Sequence, residues 1–142
     1  KSVVYLTDNC GEIVLDRLLM EQIRAGYPDA ELTVLVRGEA VVNDADMEDA
    51  RQTGLLELGR VLGNGNSIGG TWMEELSEEA LCALKKADVI LSKGQGNFET
   101  LQGCGLNVYY LFMCKCEMFT ERFGVKLFDG VLVRDRALCG EP

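Results

Sequence analysis

Five short apolar runs, separated by helical patterns and each ending in a polar or glycine-bearing loop, constrain the fold of this chain more than any other feature. Residues 2–7 (SVVYLT), ELTVLVRG, GRVLGNG, DVILSKG and NVYYLFMCK read as strands. Between them, residues 12–25 place Ile13, Leu15, Leu18, Leu19 and Ile23 near one side of a helix. Residues 44–53 read as a second helix stopped at Gly54. SEEALCALKKA reads as a third, with Ser77 as N-cap and acids in its first turn, and residues 97–102 open a fourth. Strand–helix alternation of this kind predicts an α/β fold: a three-layer, Rossmann-like α/β/α arrangement whose mostly parallel sheet is covered on both faces. The tail VKLFDGVLVRD carries an Asp-Gly turn between apolar runs and predicts a C-terminal hairpin.

The chain has 142 residues, which suffices for a single domain over 1–142 with its own core. Its first residue, Lys1, leads straight into the first strand, so the chain is expected to be the C-terminal part of a longer protein. Net charge is −9, from 23 acidic and 14 basic residues, which excludes the basic stripe of a general nucleic-acid surface. No run approaches the roughly 18–20 apolar residues that span a bilayer, so a cytoplasmic protein with no membrane partner is expected. The six cysteines contain no Cys-x-x-Cys pair, and the chain has no His. That removes a Ser-His-Asp triad, a Cys-His dyad and a His-ligated zinc site. Reduced, mostly buried thiols are expected, none of them a zinc ligand. Chemistry must then come from carboxylates, amides, Lys or a hard metal ion.

In a sheet of this type ligands gather at the carboxyl ends of the strands, and polar residues concentrate there. Strand one ends in Asp8-Asn9-Cys10-Gly11-Glu12, and strand two is followed by RGEAVVNDADMEDA. Strand three leads into GNGNSIGGT and strand four into SKGQGNFE. Asp8, Asn9 and Asp44 offer hard oxygen donors suited to magnesium, manganese or calcium. An Asp-Asn pair before a helix is also the common pattern of a helix cap. The acids of NDADMEDA equally suit a solvated helix face, and they lack the Gly and Glu of a calcium loop. KGQGNFE is sharper: Lys93, Gly94 and Gly96 precede a helix near Asn97, which together make an anion site of ammonium, backbone N–H groups and helix dipole. Pairing of Lys93 with a nearby carboxylate such as Glu99 is the competing explanation.

DNCGEIVLD, RGEAVVNDADMEDA, GNGNSIGGTWMEELSEE and SKGQGNFETL, in this order and spacing, resemble the damage-control phosphatases, metal-dependent enzymes once catalogued as domain of unknown function 89. The likeness covers nearly the whole chain and is closest to the prokaryotic branch. It implies a divalent ion (manganese, magnesium, cobalt or nickel) held by Asp8, Asn9 and Asp44, with Asp8, Asp44 and Lys93 in the catalytic roles. Glu12, Arg37, Asn43, Gly94, Gly96 and Asn97 are the candidate substrate and phosphate contacts. The implied substrates are small phosphorylated metabolites such as sugar phosphates, and the implied partner is the protein's own N-terminal helical domain. Asp8 or Asp44 as nucleophile, and either as guide for a metal-bound water, both remain open. The competing functions are S-adenosylmethionine-dependent carboxyl methyl transfer and a non-catalytic metal- or phosphometabolite-binding module.

Overall fold

The structure, a computed structural model, describes residues 1–135. Strands β1 (Ser2–Leu6), β2 (Glu31–Val36), β3 (Arg60–Gly63), β4 (Val89–Lys93), β5 (Val108–Met113) and β6 (Gly130–Arg134) form one sheet in the order β3-β2-β1-β4-β5-β6. All neighbours are parallel except β5 and β6. Helices α1 (Ile13–Gly26) and α2 (Met47–Gln52) belong to the core on one face, and α3 (Glu78–Lys86), α4 (Gln95–Leu101) and α5 (Glu117–Phe123) to the core on the other. Alternate residues of β1 serve the two cores: Val4 and Leu6 face α3 and α4, whereas Tyr5 faces α1. The predicted α/β/α layering and mostly parallel sheet are therefore present.

Local chemistry explains the helix boundaries. Asp46 caps α2 in a reciprocal box with Asp49, and Ser77 Oγ accepts the N–H of Ala80 at the start of α3. Glu78 and Glu79 in the first turn of α3 and Lys85 and Lys86 in its last complement the helix dipole. Phe98 of α4 stacks on Phe112 with ring centroids 4.9 Å apart and meets Phe119 of α5 edge-on at 5.3 Å.

Three local expectations need correction. The C-terminal antiparallel pair exists, but β6 pairs with β5 across α5, a helix the sequence reading passed over. Residues 125–128 form turns, with Phe128 at φ +69° and the Asp129 carboxylate accepting the Lys126 N–H. In α1 the buried residues are Ile13, Asp16 and Met20, while Leu15, Leu18 and Leu19 face outward. The thiols are also less buried than expected: Cys10 and Cys82 are exposed, Cys104 and Cys116 half-buried, and only Cys114 of the described cysteines is buried. Cys139 lies outside the described residues.

Register positions the site. Leu6 of β1 sits beside Leu35 of β2 and Ser92 of β4, and Lys93 of β4 beside Leu111 of β5. The chain therefore leaves these strands at one edge, delivering Asp8, Arg37, Lys93 and Lys115 to the same side of the sheet.

Candidate active site

Main-chain bonds clamp the loop after β1 to the loop after β2. Ala45 N–H donates to the Asp8 carbonyl at 2.7 Å and Cys10 N–H to the Asn43 carbonyl at 2.8 Å, and Asn9 and Asp44 form an antiparallel bridge. Asp8, Asn9 and Asp44 are thus neighbours, as expected. The Asn9 amide donates to Asp8 Oδ2 and Glu12 Oε1, both at 3.1 Å, and its oxygen accepts from Asn43 Nδ2 at 2.9 Å. Neither Asp8 nor Asn9 caps α1 with its side chain; Glu12 occupies the N-cap and makes no side-chain cap bond. The carboxylate of Asp8 is therefore not consumed by the helix. Burial, with repulsion from Glu12 and Asp44 next, pushes the Asp8 carboxyl up to about 6, against partial relief from Lys115 and Arg37.

Arg37 and Asn97 take part in a buried network on the inner side of this cluster. The Arg37 guanidinium donates through Nε to Asp44 Oδ2 at 2.6 Å, through Nη2 to Asn97 Oδ1 at 3.2 Å, and through Nη1 to the Gly70 carbonyl. Asn97 also accepts from Thr71 Oγ1 at 2.8 Å and donates to the carbonyls of Thr7 and Lys93. With their polar atoms engaged and both residues buried, Arg37 and Asn97 brace the loops. A glycine of the second loop serves the same packing: a Cβ on Gly38 would lie 2.6 Å from the Gly65 nitrogen, so the second and third loops touch only because Gly38 carries no side chain.

Lys93 reaches back across the sheet end to α1. Its Nζ donates to Glu12 Oε2 at 3.0 Å and Asp16 Oδ1 at 2.8 Å, while Tyr5 Oη donates to the same Asp16 oxygen at 2.7 Å. Glu99, the carboxylate singled out as the competing partner of Lys93, instead accepts from Gln95. Asp16 Oδ2 is buried without a hydrogen-bond partner among the described residues, an arrangement that costs about 1–3 kcal/mol. Asp16 escaped the sequence reading, although it lies inside DNCGEIVLD.

A cleft of about 460 Å³ opens beside these groups, lined by Asp8, Glu12, Lys93, Gly94 and Lys115 and by apolar residues of α1 and β5. Gly94, at φ +87°, presses against the Asp8 carboxylate: a Cβ there would lie 2.2 Å from its Cγ. Gly96 has open space around it. The first-turn N–H groups of α4 lack intrahelical acceptors, as at any helix start. Lys115, just beyond β5, is exposed, and its charge lowers the proton affinity of both Asp8 and Glu12. A single Lys in an acidic chain gave no sequence signal of its own; only the alignment of β5 with β4 brings it here.

The donor set is compatible with a hard divalent ion. No three acids, cysteines or histidines gather in a metal-binding group among the described residues, so such an ion would rest on Asp8, Asp44 and the Asn9 amide, with water completing its shell. Asp44 Oδ2 is held by Arg37, leaving Oδ1 for an ion. The Asn9 oxygen faces Asn43, so ligation by Asn9 requires the amide to turn over.

Residues 1–131 match the damage-control phosphatase ARMT1-like domain. The chain belongs to this damage-control phosphatase family. It is 39% identical over 134 residues to a damage-control phosphatase of Pyrococcus horikoshii, covering 94% of this chain and 46% of that protein. A damage-control phosphatase of Archaeoglobus fulgidus is 40% identical over 131 residues, covering 91% and 45% respectively. The crystal structure of a DUF89 family protein from Pyrococcus horikoshii superposes with a TM-score of 0.88 at 36% identity, over 94% of this chain and 47% of that one. The chain thus spans about half the length of the curated damage-control phosphatases it matches.

Proposed function

We propose that this chain is the catalytic part of a divalent-metal-dependent phosphatase acting on small phosphorylated metabolites. One observation carries the reading: the cleft at the carboxyl edge of the sheet sets an acid, Asp8, backed by the Asn9 amide and Asp44, against the cations Lys93 and Lys115. Such a division suits a phosphoryl group, whose oxygens need cations and N–H donors while its metal needs hard anionic oxygens. Asp8, Asn9 and Asp44 would hold manganese, magnesium, cobalt or nickel. When bound, the ion would supply Lewis-acid stabilisation of charge on the phosphoryl oxygens.

The chain's own residues do the rest. Lys115, exposed at the cleft, meets the incoming phosphate, and Lys93 with the N–H groups of Gln95 and Gly96 offsets charge on its oxygens. Donors of this kind contribute about 10²–10³-fold each where they are preorganised. Arg37 and Asn97 keep Asp44 and the start of α4 in place. The names of the relatives favour hydrolysis over methyl transfer.

The same reading extends to the partner. Outward-facing Leu15 and Leu18 of α1 continue onto Met113 of β5 and Leu132 of β6, an apolar face that no described helix covers. The N-terminal helical domain of the full-length protein is the proposed occupant of this face, which borders the cleft through Leu15 and Met113. No described helix is long and apolar enough to cross a membrane. Hydrolysis of p-nitrophenyl phosphate and of a set of sugar phosphates by the full-length protein, with chelator and with each metal added back, is the deciding experiment. Turnover restored by metal supports the proposal; none under any metal overturns it.

A further inference from the structure

We infer that Tyr5 and Asp16 are positioning residues for Lys93, a buried hydroxyl–carboxylate pair that fixes the ammonium at the mouth of the cleft. The inference rests on the reading that Lys93 meets the phosphoryl group. Three elements converge on one oxygen: Asp16 Oδ1 of α1 accepts Tyr5 Oη from β1 at 2.7 Å and Lys93 Nζ from β4 at 2.8 Å. Both donors meet Oδ1, while Asp16 Oδ2 is buried without a hydrogen-bond partner among the described residues, a costly arrangement for a group that served the fold alone. The arrangement instead suits a requirement on where the ammonium sits.

The two acids beside Lys93 are not equivalent. The Asp16 side chain is 4% exposed, and that of Glu12 43%. Asp16 is locked by packing and by Tyr5, whose burial beside this carboxylate holds its phenol above the ordinary range and keeps it a donor. Glu12 stands at the water-facing side, shared with the Asn9 amide, and is free to move when an anion enters. An ammonium carries three donors; two are engaged here, and the third is left for the cleft. Without Asp16 a flexible four-carbon stem would let the ammonium follow Glu12 outward.

Four variants of the full-length protein test this: Tyr5→Phe, Asp16→Asn, Lys93→Met and the double variant Asp16→Asn with Lys93→Met. With p-nitrophenyl phosphate, Asp16→Asn is expected to lower kcat by about ten- to a hundredfold with little change in KM, and Tyr5→Phe by a smaller factor, the scale of a displaced catalytic group. In the Lys93→Met background the Asp16→Asn loss disappears, because one residue works through the other. Losses that multiply in the double variant overturn the inference. Tyr5→Phe removes one hydroxyl and keeps the test alive should Asp16→Asn fail to fold. Brief acylation of the native protein with acetic anhydride, read by mass spectrometry at Lys93 relative to exposed Lys85, is independent of turnover. Greater labelling of Lys93 in Tyr5→Phe and Asp16→Asn supports the inference even if no form of the protein hydrolyses phosphate esters, in which case the phosphatase reading alone falls. Unchanged labelling overturns it.

Discussion

Two polar clusters share the carboxyl edge of this sheet, and they differ in what their groups have left to give. In the inner one, Arg37, Asp44, Thr71 and Asn97 bond to one another and to main-chain carbonyls, buried or nearly so. In the outer one, Asp8, Glu12, Lys93 and Lys115 border open space, and among the described residues the Asp8 carboxylate has only the Asn9 amide as hydrogen-bond partner. Residue type does not separate the two, since each holds acids and bases. Saturation does: Arg37 and Asn97, whose polar atoms are all engaged, hold the fold, and an atom left short of partners, Oδ1 of Asp44 included, is available to a ligand.

Breaking the inner cluster should show first in stability. Arg37→Leu leaves the Asp44 carboxylate and the Gly70 carbonyl without their guanidinium donor, and loss of one partner of a buried pair costs about 3–5 kcal/mol. Urea unfolding measures it; a shift under about 1 kcal/mol would place Arg37 among the working groups. Breaking the outer cluster should show in chemistry. Asp8→Asn is expected to cut turnover by about a hundred- to a thousandfold, about 3–4 kcal/mol in the barrier, while the metal-free protein melts no lower, since repulsion with Glu12 and Asp44 is relieved. A fall in melting temperature with turnover intact would move Asp8 into the inner class.

Gly94 joins the clusters and should register on both scales. Gly94→Ala puts a Cβ into the Asp8 carboxylate at a left-handed backbone position, an expected loss of about 1–3 kcal/mol together with reduced turnover. Lys115→Met, at an exposed position, should raise KM for phosphate esters about tenfold, about 1.4 kcal/mol of binding, with no change in melting temperature. Equal KM would leave Lys93 as the sole cation for substrate. The smallest effect lies at the opposite end of the strands. Asp88 accepts the main-chain N–H of Ser2, which holds its carboxyl below the ordinary value. A depressed carboxylate adds stability above the unfolded-state pKa near 4, and that increment disappears as pH falls through the folded value. Melting curves of wild type and Asp88→Asn should therefore differ slightly at neutral pH and converge as pH falls through the depressed folded value.

The fold was legible because strands buried on both faces are apolar throughout, and helices betray themselves by a cap such as Ser77 or a stop such as Gly54. What misled was equal apolarity in different roles. Residues 125–128 look like a strand but turn, because β5 already supplies the antiparallel partner of β6. Leu15, Leu18 and Leu19 look like the buried stripe of α1, yet the sheet is met by Ile13, Asp16 and Met20. A pattern search for apolar periodicity cannot see a carboxylate on the inner face, so Asp16 was missed for the reason that makes it informative. At the site, Asp8, Asn9, Asp44 and Lys93 were read from the polar loops after the strands and from the family resemblance, and the structure places all four at one edge of the sheet. Lys115 was not, because its arrival depends on β5 lying beside β4. Arg37 and Asn97 were assigned to substrate because charge and loop position are visible in a sequence and hydrogen-bond saturation is not.

The strand order has a consequence for how the molecule comes into being. β1 lies between β2 and β4, and β4 follows it by more than eighty residues of chain. On a ribosome, β1, β2 and β3 emerge first, and the free side of β1 stays an unpaired apolar edge until β4 is synthesised and inserted. Asp8 and Asp44 can meet within that early half, whereas Lys93 and Gly94 arrive with β4 and Lys115 after it. Nascent chains stalled before residue 89 would thus carry the acidic side of the cleft without its cations, together with an edge open to another chain. Closing that edge and bringing Lys93 against the acids are one event.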